Sequence, residues 1–165
     1  MNAEVKDYLA LFAEVAIATA ALSGIIMVLA VSGRKLSTDR VAQIATQLRM
    51  ALIVTVFALL PLLLANVEIT ASWNWRICSG LYILTILYVG ISSARGRRTY
   101  GQALAAKGRA GGAVVGVSAL ALLPLNIWLA VPWPYLLQLM LALLMSIFLF
   151  LDFIVQILAE NSDDG

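Results

Sequence analysis

An all-α membrane bundle is the fold this sequence predicts, and three observations carry that expectation. The 165-residue chain is 62% hydrophobic and only 12% charged, against about 45–50% and ~25% in a soluble domain. Its apolar residues gather in five runs separated by short polar segments. Eight of its eleven Lys and Arg residues fall into two of those segments. With a mean hydropathy of +0.96, the chain carries more apolar surface than one small core encloses. Lipid is therefore the expected solvent for much of it.

A bilayer core of ~30 Å needs roughly 20 apolar residues per helix. The first run is Tyr8–Val31. It is not read as a cleaved signal, because Met1–Asp7 carries Glu4, Lys6 and Asp7 and lacks a positive start. The second, Val41–Val67, encloses Arg49 and ends near Pro61. Ser37 is a candidate N-cap, with Asp39 in the first turn. Counted from Thr38, that helix is roughly 45 Å long and should tilt or project. The third run is Ile77–Ala94. The fourth, Gly111–Val131, starts with Gly111, Gly112 and Gly116, a pattern that membrane helices tolerate better than soluble ones. The fifth is Tyr135–Leu158. Residues 1–165 form a single transmembrane domain on this reading.

The loops orient the bundle. Segments 32–40 and 95–110 hold eight Lys and Arg residues, whereas Glu68–Arg76 and Pro132–Pro134 hold one. Positive loops stay in the cytoplasm, so the N-terminus is expected outside and the C-terminus inside. Trp73, Trp75, Trp128 and Trp133 all fall near the two predicted outer loops, as one half of an aromatic belt would. The Ala- and Arg-rich usage suggests a bacterial inner membrane. The string Ala58-Leu59-Leu60-Pro61-Leu62 recurs as Ala121-Leu122-Leu123-Pro124-Leu125. Leucine-rich spans share such strings by chance, and that reading is preferred to a duplicated hairpin.

Composition removes several function classes. The chain has no His and one cysteine, Cys78, which excludes disulfide frameworks, CxxC pairs and Cys/His metal centres. It carries no Ser/His arrangement, no phosphate-binding loop and no soluble domain to hold a substrate. It is not expected to be an enzyme, to hold a metal or cofactor, or to bind nucleic acid. Cys78 reads as a small packing residue.

The residues that stand out are polar groups inside spans. Glu14, Arg49 and Asp152 are charges well inside their runs, and such charges normally face a partner. By rise per residue, Arg49 and Asp152 lie roughly 12 and 9 Å from the same end. They are expected to pair, as a structural lock or as a proton or ion relay, while Glu14 pairs with neither. Gln138, Ala142, Met145, Leu149, Asp152 and Gln156 make one helical stripe. Asn126, Gln138 and Asn66 are candidate neighbours of Glu14. Pro61 and Pro124, in the same half, each remove a helical hydrogen bond and are expected to kink their helices. Such a group could make a small cation or proton site; the competing reading turns Glu14 to local hydrogen bonds or headgroups. Gly108, Gly112 and Gly116, and likewise Ala16, Ala20 and Gly24, are spaced for close helix packing.

Two functions follow as expectations. The first is a homo-oligomeric channel or permease-like protein passing protons or small ions beside Glu14, Arg49 and Asp152. The second is a non-catalytic membrane subunit that stabilises or regulates another membrane protein. Membrane lipids, further copies of the chain or another membrane protein are the expected partners. The basic loop 95–110 is also suited to anionic headgroups, although its role in fixing topology already explains its charge.

Overall fold

The computed structural model describes residues 2–31, 38–67, 69–100 and 106–163. They form five α-helices: α1 (Ala3–Val31), α2 (Thr38–Ala65), α3 (Ala71–Tyr100), α4 (Ala106–Leu129) and α5 (Pro132–Asp163). No strand occurs among the described residues. Four helices hold stretches long and apolar enough to cross a membrane: Ala3–Ile25, Ala45–Ala65, Ala71–Ser92 and Pro132–Asp152. The described apolar part of α4, Val114–Leu129, is shorter.

The helices outrun the apolar runs at most ends, because helix formation continues into polar flanks once a span is nucleated. Helix α3 starts at Ala71 and takes in Arg76, so the Glu68–Arg76 loop is shorter than its charge pattern implied. The Thr70 carbonyl accepts the first helical bond, from the Asn74 amide at 3.1 Å. Helix α5 starts at Pro132, where a missing N–H costs nothing. The α4–α5 turn is thereby reduced to Ala130 and Val131. Ala130 adopts φ 54°, the left-handed conformation that ends many helices. Its amide bonds the Asn126 carbonyl at 2.7 Å. Ser37, with the rest of the 32–37 segment, lies outside the described residues.

Each helix packs against the next in sequence, and α5 closes the ring onto α1. Helix α5 also touches α2 and α3, so it meets all four others, while among the described residues α1 meets neither α3 nor α4. Half of the α5 apolar stretch is buried, against 22–39% in the other three, which makes α5 the central post. Its inward stripe is the one the spacing predicts: Gln138, Ala142 and Leu149 are buried, and Met145 packs on the core.

The short connections make neighbouring helices antiparallel. One end of the bundle gathers the α2–α3 and α4–α5 turns with the N-terminus of α1. Trp73, Trp128 and Trp133 are 51–78% exposed at this end, and we call it the tryptophan end. Trp75 departs from the expected belt: it is buried, because it lies one turn into α3 and faces α5. The opposite end is the basic end.

Small residues bring α1 close to its neighbours. Ala13 and Ala16 are buried, and Ala20 and Gly24 are half-buried. Gly24 and Gly116 depart from the expected role of glycine, since a Cβ on either would meet no atom within 4 Å. Backbone contact within the chain therefore does not require them. The surroundings of Gly108 and Gly112 lie outside the described residues.

Candidate functional site

Among the described residues the fully buried polar side chains are uncharged, and several of them tie the helices together pair by pair. Gln47 on α2 donates its amide to the Ser23 hydroxyl on α1. Asn74 on α3 donates to the Pro61 carbonyl on α2 at 2.9 Å. Asn126 on α4 donates to the Ser79 hydroxyl on α3 at 2.7 Å. Gln138 on α5 donates to the Val115 carbonyl on α4 at 3.2 Å. Tyr135 on α5 donates to the Phe57 carbonyl on α2 at 2.6 Å. Each donor residue is at most 2% exposed. In hydrocarbon an unmade hydrogen bond costs several kcal/mol, so each contact favours one partner and one register.

The Tyr135 contact has a specific cause. Pro61 has no N–H, so the Phe57 carbonyl, four residues earlier, loses its helical donor. The Tyr135 hydroxyl supplies that donor from α5. Pro61 is itself buried. Pro124, its counterpart in the repeated string, is exposed. The two copies of the string therefore sit in different environments.

Aromatic rings fill the space around these bonds. Phe57 stacks on Tyr82 with centroids 4.5 Å apart and planes 15° apart. Tyr135 meets Tyr82 edge-on at 6.1 Å and Trp75 at 5.7 Å. The cluster joins α2, α3 and α5 toward the tryptophan end. Cys78 donates its thiol to Asn74 Oδ1 at 3.3 Å. The Tyr82 hydroxyl lies beside the Gln138 side chain, while Asn126 Oδ1 and Arg76 Nε are buried with no hydrogen-bond partner among the described residues. A second polar ladder lies between α1 and α2. There the Ser23 hydroxyl donates to the Thr19 carbonyl at 2.6 Å and the Thr19 hydroxyl to the Val15 carbonyl at 2.8 Å.

The charges lie elsewhere. Glu14 is exposed, eleven residues from each end of the apolar stretch Ala3–Ile25. Arg49 is exposed four residues inside Ala45–Ala65, a depth its long stem spans to reach water. It shares an outward stripe with Leu52, Val56, Leu59 and Leu63, about 200° around α2 from buried Gln47. Asp152, at the end of Pro132–Asp152, is half-buried. No Arg49–Asp152 salt bridge occurs among the described residues. The side chain of Gln156 lies outside them.

Asn126 and Gln138, expected beside Glu14, are instead wholly buried and bonded to α3 and α4. Among the described residues α1 and α4 make no close backbone approach, so Glu14 and Asn126 belong to separate regions. Asn66 is exposed beyond the end of α2. At the tryptophan end the Arg76 guanidinium stands 5.7 Å from the Trp73 ring centroid, within cation–π range.

Sequence reasoning passed over Gln47, Asn74, Ser79, Tyr82 and Tyr135. Their signal was the one used for Asn126 and Gln138, a polar atom within an apolar run. Compared with known families, with characterised proteins and with solved structures, the chain matches none.

Proposed function

We infer that this small multi-pass membrane protein is a non-catalytic membrane subunit, a stable helical body to which other membrane-embedded chains attach. One observation carries the reading. The polar groups that join its helices are uncharged and buried, while Glu14 and Arg49 stand on its outer surface. A pathway for ions through the chain would instead set charge or open carbonyls along its interior. Here the carbonyl freed by Pro61 is bonded to Tyr135, and rings fill the space beside it.

The same Glu14 supports a second reading, in which protons or small ions pass where chains meet. Flux through liposomes containing only the purified protein decides between the two. The subunit reading expects proton and potassium leak equal to that of empty liposomes. A leak that Glu14→Gln abolishes would overturn it in favour of permeation.

In a bacterial inner membrane the basic end would face the cytoplasm. Reporters fused at Gly101 and at the C-terminus should both read as cytoplasmic, and an outside signal from either reverses the orientation.

A further inference from the structure

Helix α1 turns one face to the bundle and leaves the other uncovered. Its inward face, including Leu9, Ala13 and Ala16, is buried against α2 and α5. On its outward face Leu11, Glu14, Ala18, Ala21, Ile25 and Val28 are all exposed. Their spacing is 3, 4, 3, 4, 3, the 3.5-residue period of a seam between two helices that cross at a shallow left-handed angle. Glu14 sits within this seam at the middle of the apolar stretch, with no partner among the described residues.

The chain's own cations do not answer Glu14. The four membrane-length stretches hold three Lys or Arg residues: Lys6 and Arg76, both toward the tryptophan end, and Arg49. Lys6 lies eight residues before Glu14 on the same helix, about 12 Å along the axis. The Gln47–Ser23 bond sets the α1–α2 register and places Arg49 near the level of Ala21. That is about 10 Å from Glu14 along the axis. Helical side chains lean toward their own N-termini. Because α1 and α2 are antiparallel, Glu14 and Arg49 lean away from each other. Copies in one membrane share orientation and depth, so neither residue reaches the other across a contact between copies. A carboxyl group carrying its proton is, however, complementary to a second carboxyl group, each offering one donor and one acceptor. In a two-fold contact each Glu14 meets its own counterpart, and two carboxyl groups satisfy each other with none left over.

We propose that the outward face of α1 is a homodimer interface, in which two copies of the chain pack α1 against α1 and join their Glu14 carboxyl groups by hydrogen bonding at mid-depth. Ala18 and Ala21 follow Glu14 along the seam and allow the two backbones to approach. The contact leaves the inward face of α1 undisturbed. It does not depend on the subunit reading above, since flux and dimerisation are separate measurements.

Cysteine cross-linking in liposomes tests it, in a chain carrying Cys78→Ser so that each added cysteine is alone. Leu11→Cys, Glu14→Cys, Ala18→Cys and Ala21→Cys should give covalent dimers on oxidation, while Phe12→Cys, Ala13→Cys and Ala16→Cys should not. In a fluorescence-transfer titration against lipid, Glu14→Ala should weaken the dimer roughly 3- to 20-fold, the worth of one interhelical hydrogen bond in a bilayer. Glu14→Gln, whose amide is equally self-complementary, should stay within about threefold of the native chain. Glu14 is exposed, and helical circular dichroism should be unchanged in its variants. Cross-linking without preference for the outward face overturns the proposal, as does a chain that stays monomeric at every protein-to-lipid ratio. Equal dimerisation of Glu14→Ala and the native chain overturns the role of the carboxyl pair.

Discussion

The interior of the bundle and the outward faces of α1 and α2 handle polar groups in opposite ways. Inside, Asn, Gln and Tyr each reach across to a neighbouring helix and are sealed from the surroundings. Outside, Glu14 and Arg49 stand among exposed Leu, Ile and Val residues. The difference follows from what each group needs. A neutral amide or phenol is satisfied by one or two directed bonds, which a facing carbonyl or hydroxyl supplies. A charge in a low-dielectric core needs a counter-charge and further hydrogen bonds, and desolvation can exceed what they return. The bundle therefore gains much of its specificity from neutral bonds and leaves Glu14 and Arg49 to water, headgroups or a second chain.

Substitutions can break that contrast, beginning with the aromatic cluster. Tyr82→Ala should cost about 3–5 kcal/mol, the range for emptying a buried aromatic site. Tyr88→Ala, on the same helix but 73% exposed, should change stability by less than about 0.5 kcal/mol. Unfolding by steric trapping in micelles would measure both, and similar losses would show that α3 is not oriented as described.

A sharper test separates the bond from the ring. Tyr135→Phe keeps the ring but leaves the Phe57 carbonyl unpaired, and should cost about 1–3 kcal/mol. Pro61→Ala restores the helical N–H to that carbonyl. In the Pro61→Ala background the same Tyr135→Phe change should cost under about 1 kcal/mol, a coupling expected of residues sharing one partner. Strictly additive losses in the double-mutant cycle would refute the account of Pro61.

Two smaller effects complete the series. Ala130→Gly should stabilise the α4–α5 turn by about 0.5–1 kcal/mol, because alanine bears a steric cost at positive φ that glycine avoids. No gain in the same unfolding assay would argue against the left-handed conformation. Arg49→Gln should shift the stability of the single chain by less than about 0.5 kcal/mol. A larger loss would show that Arg49 has a partner inside the fold.

The number of helices and their approximate limits were legible because apolar run length is a direct measure of span length. The α5 stripe was legible as well, since Gln138 and Asp152 share a face that its Phe148 and Leu151 avoid. The faces of α1 and α2 were not. Lipid is as apolar as a protein core, so an outward Leu52 and an inward Val54 look alike in sequence. Arg49 read as a charge in need of a buried partner, yet it is exposed, and it is Gln47, two residues away, that is buried. Trp75 was assigned to the surface with its neighbours because its distance from the chain's turn was known but its angle around α3 was not.

By itself the amino-acid order determined an all-helical chain of five apolar segments, and it placed basic residues at one end and tryptophans at the other. Those properties depend on composition along a line. Tertiary packing alone decided that α5 stands at the centre, that Tyr135 answers Pro61, and that Glu14 faces away from Asn126 and Gln138. Those outcomes depend on the rotation of each helix about its axis, which hydrophobicity does not fix when both solvent and core are apolar.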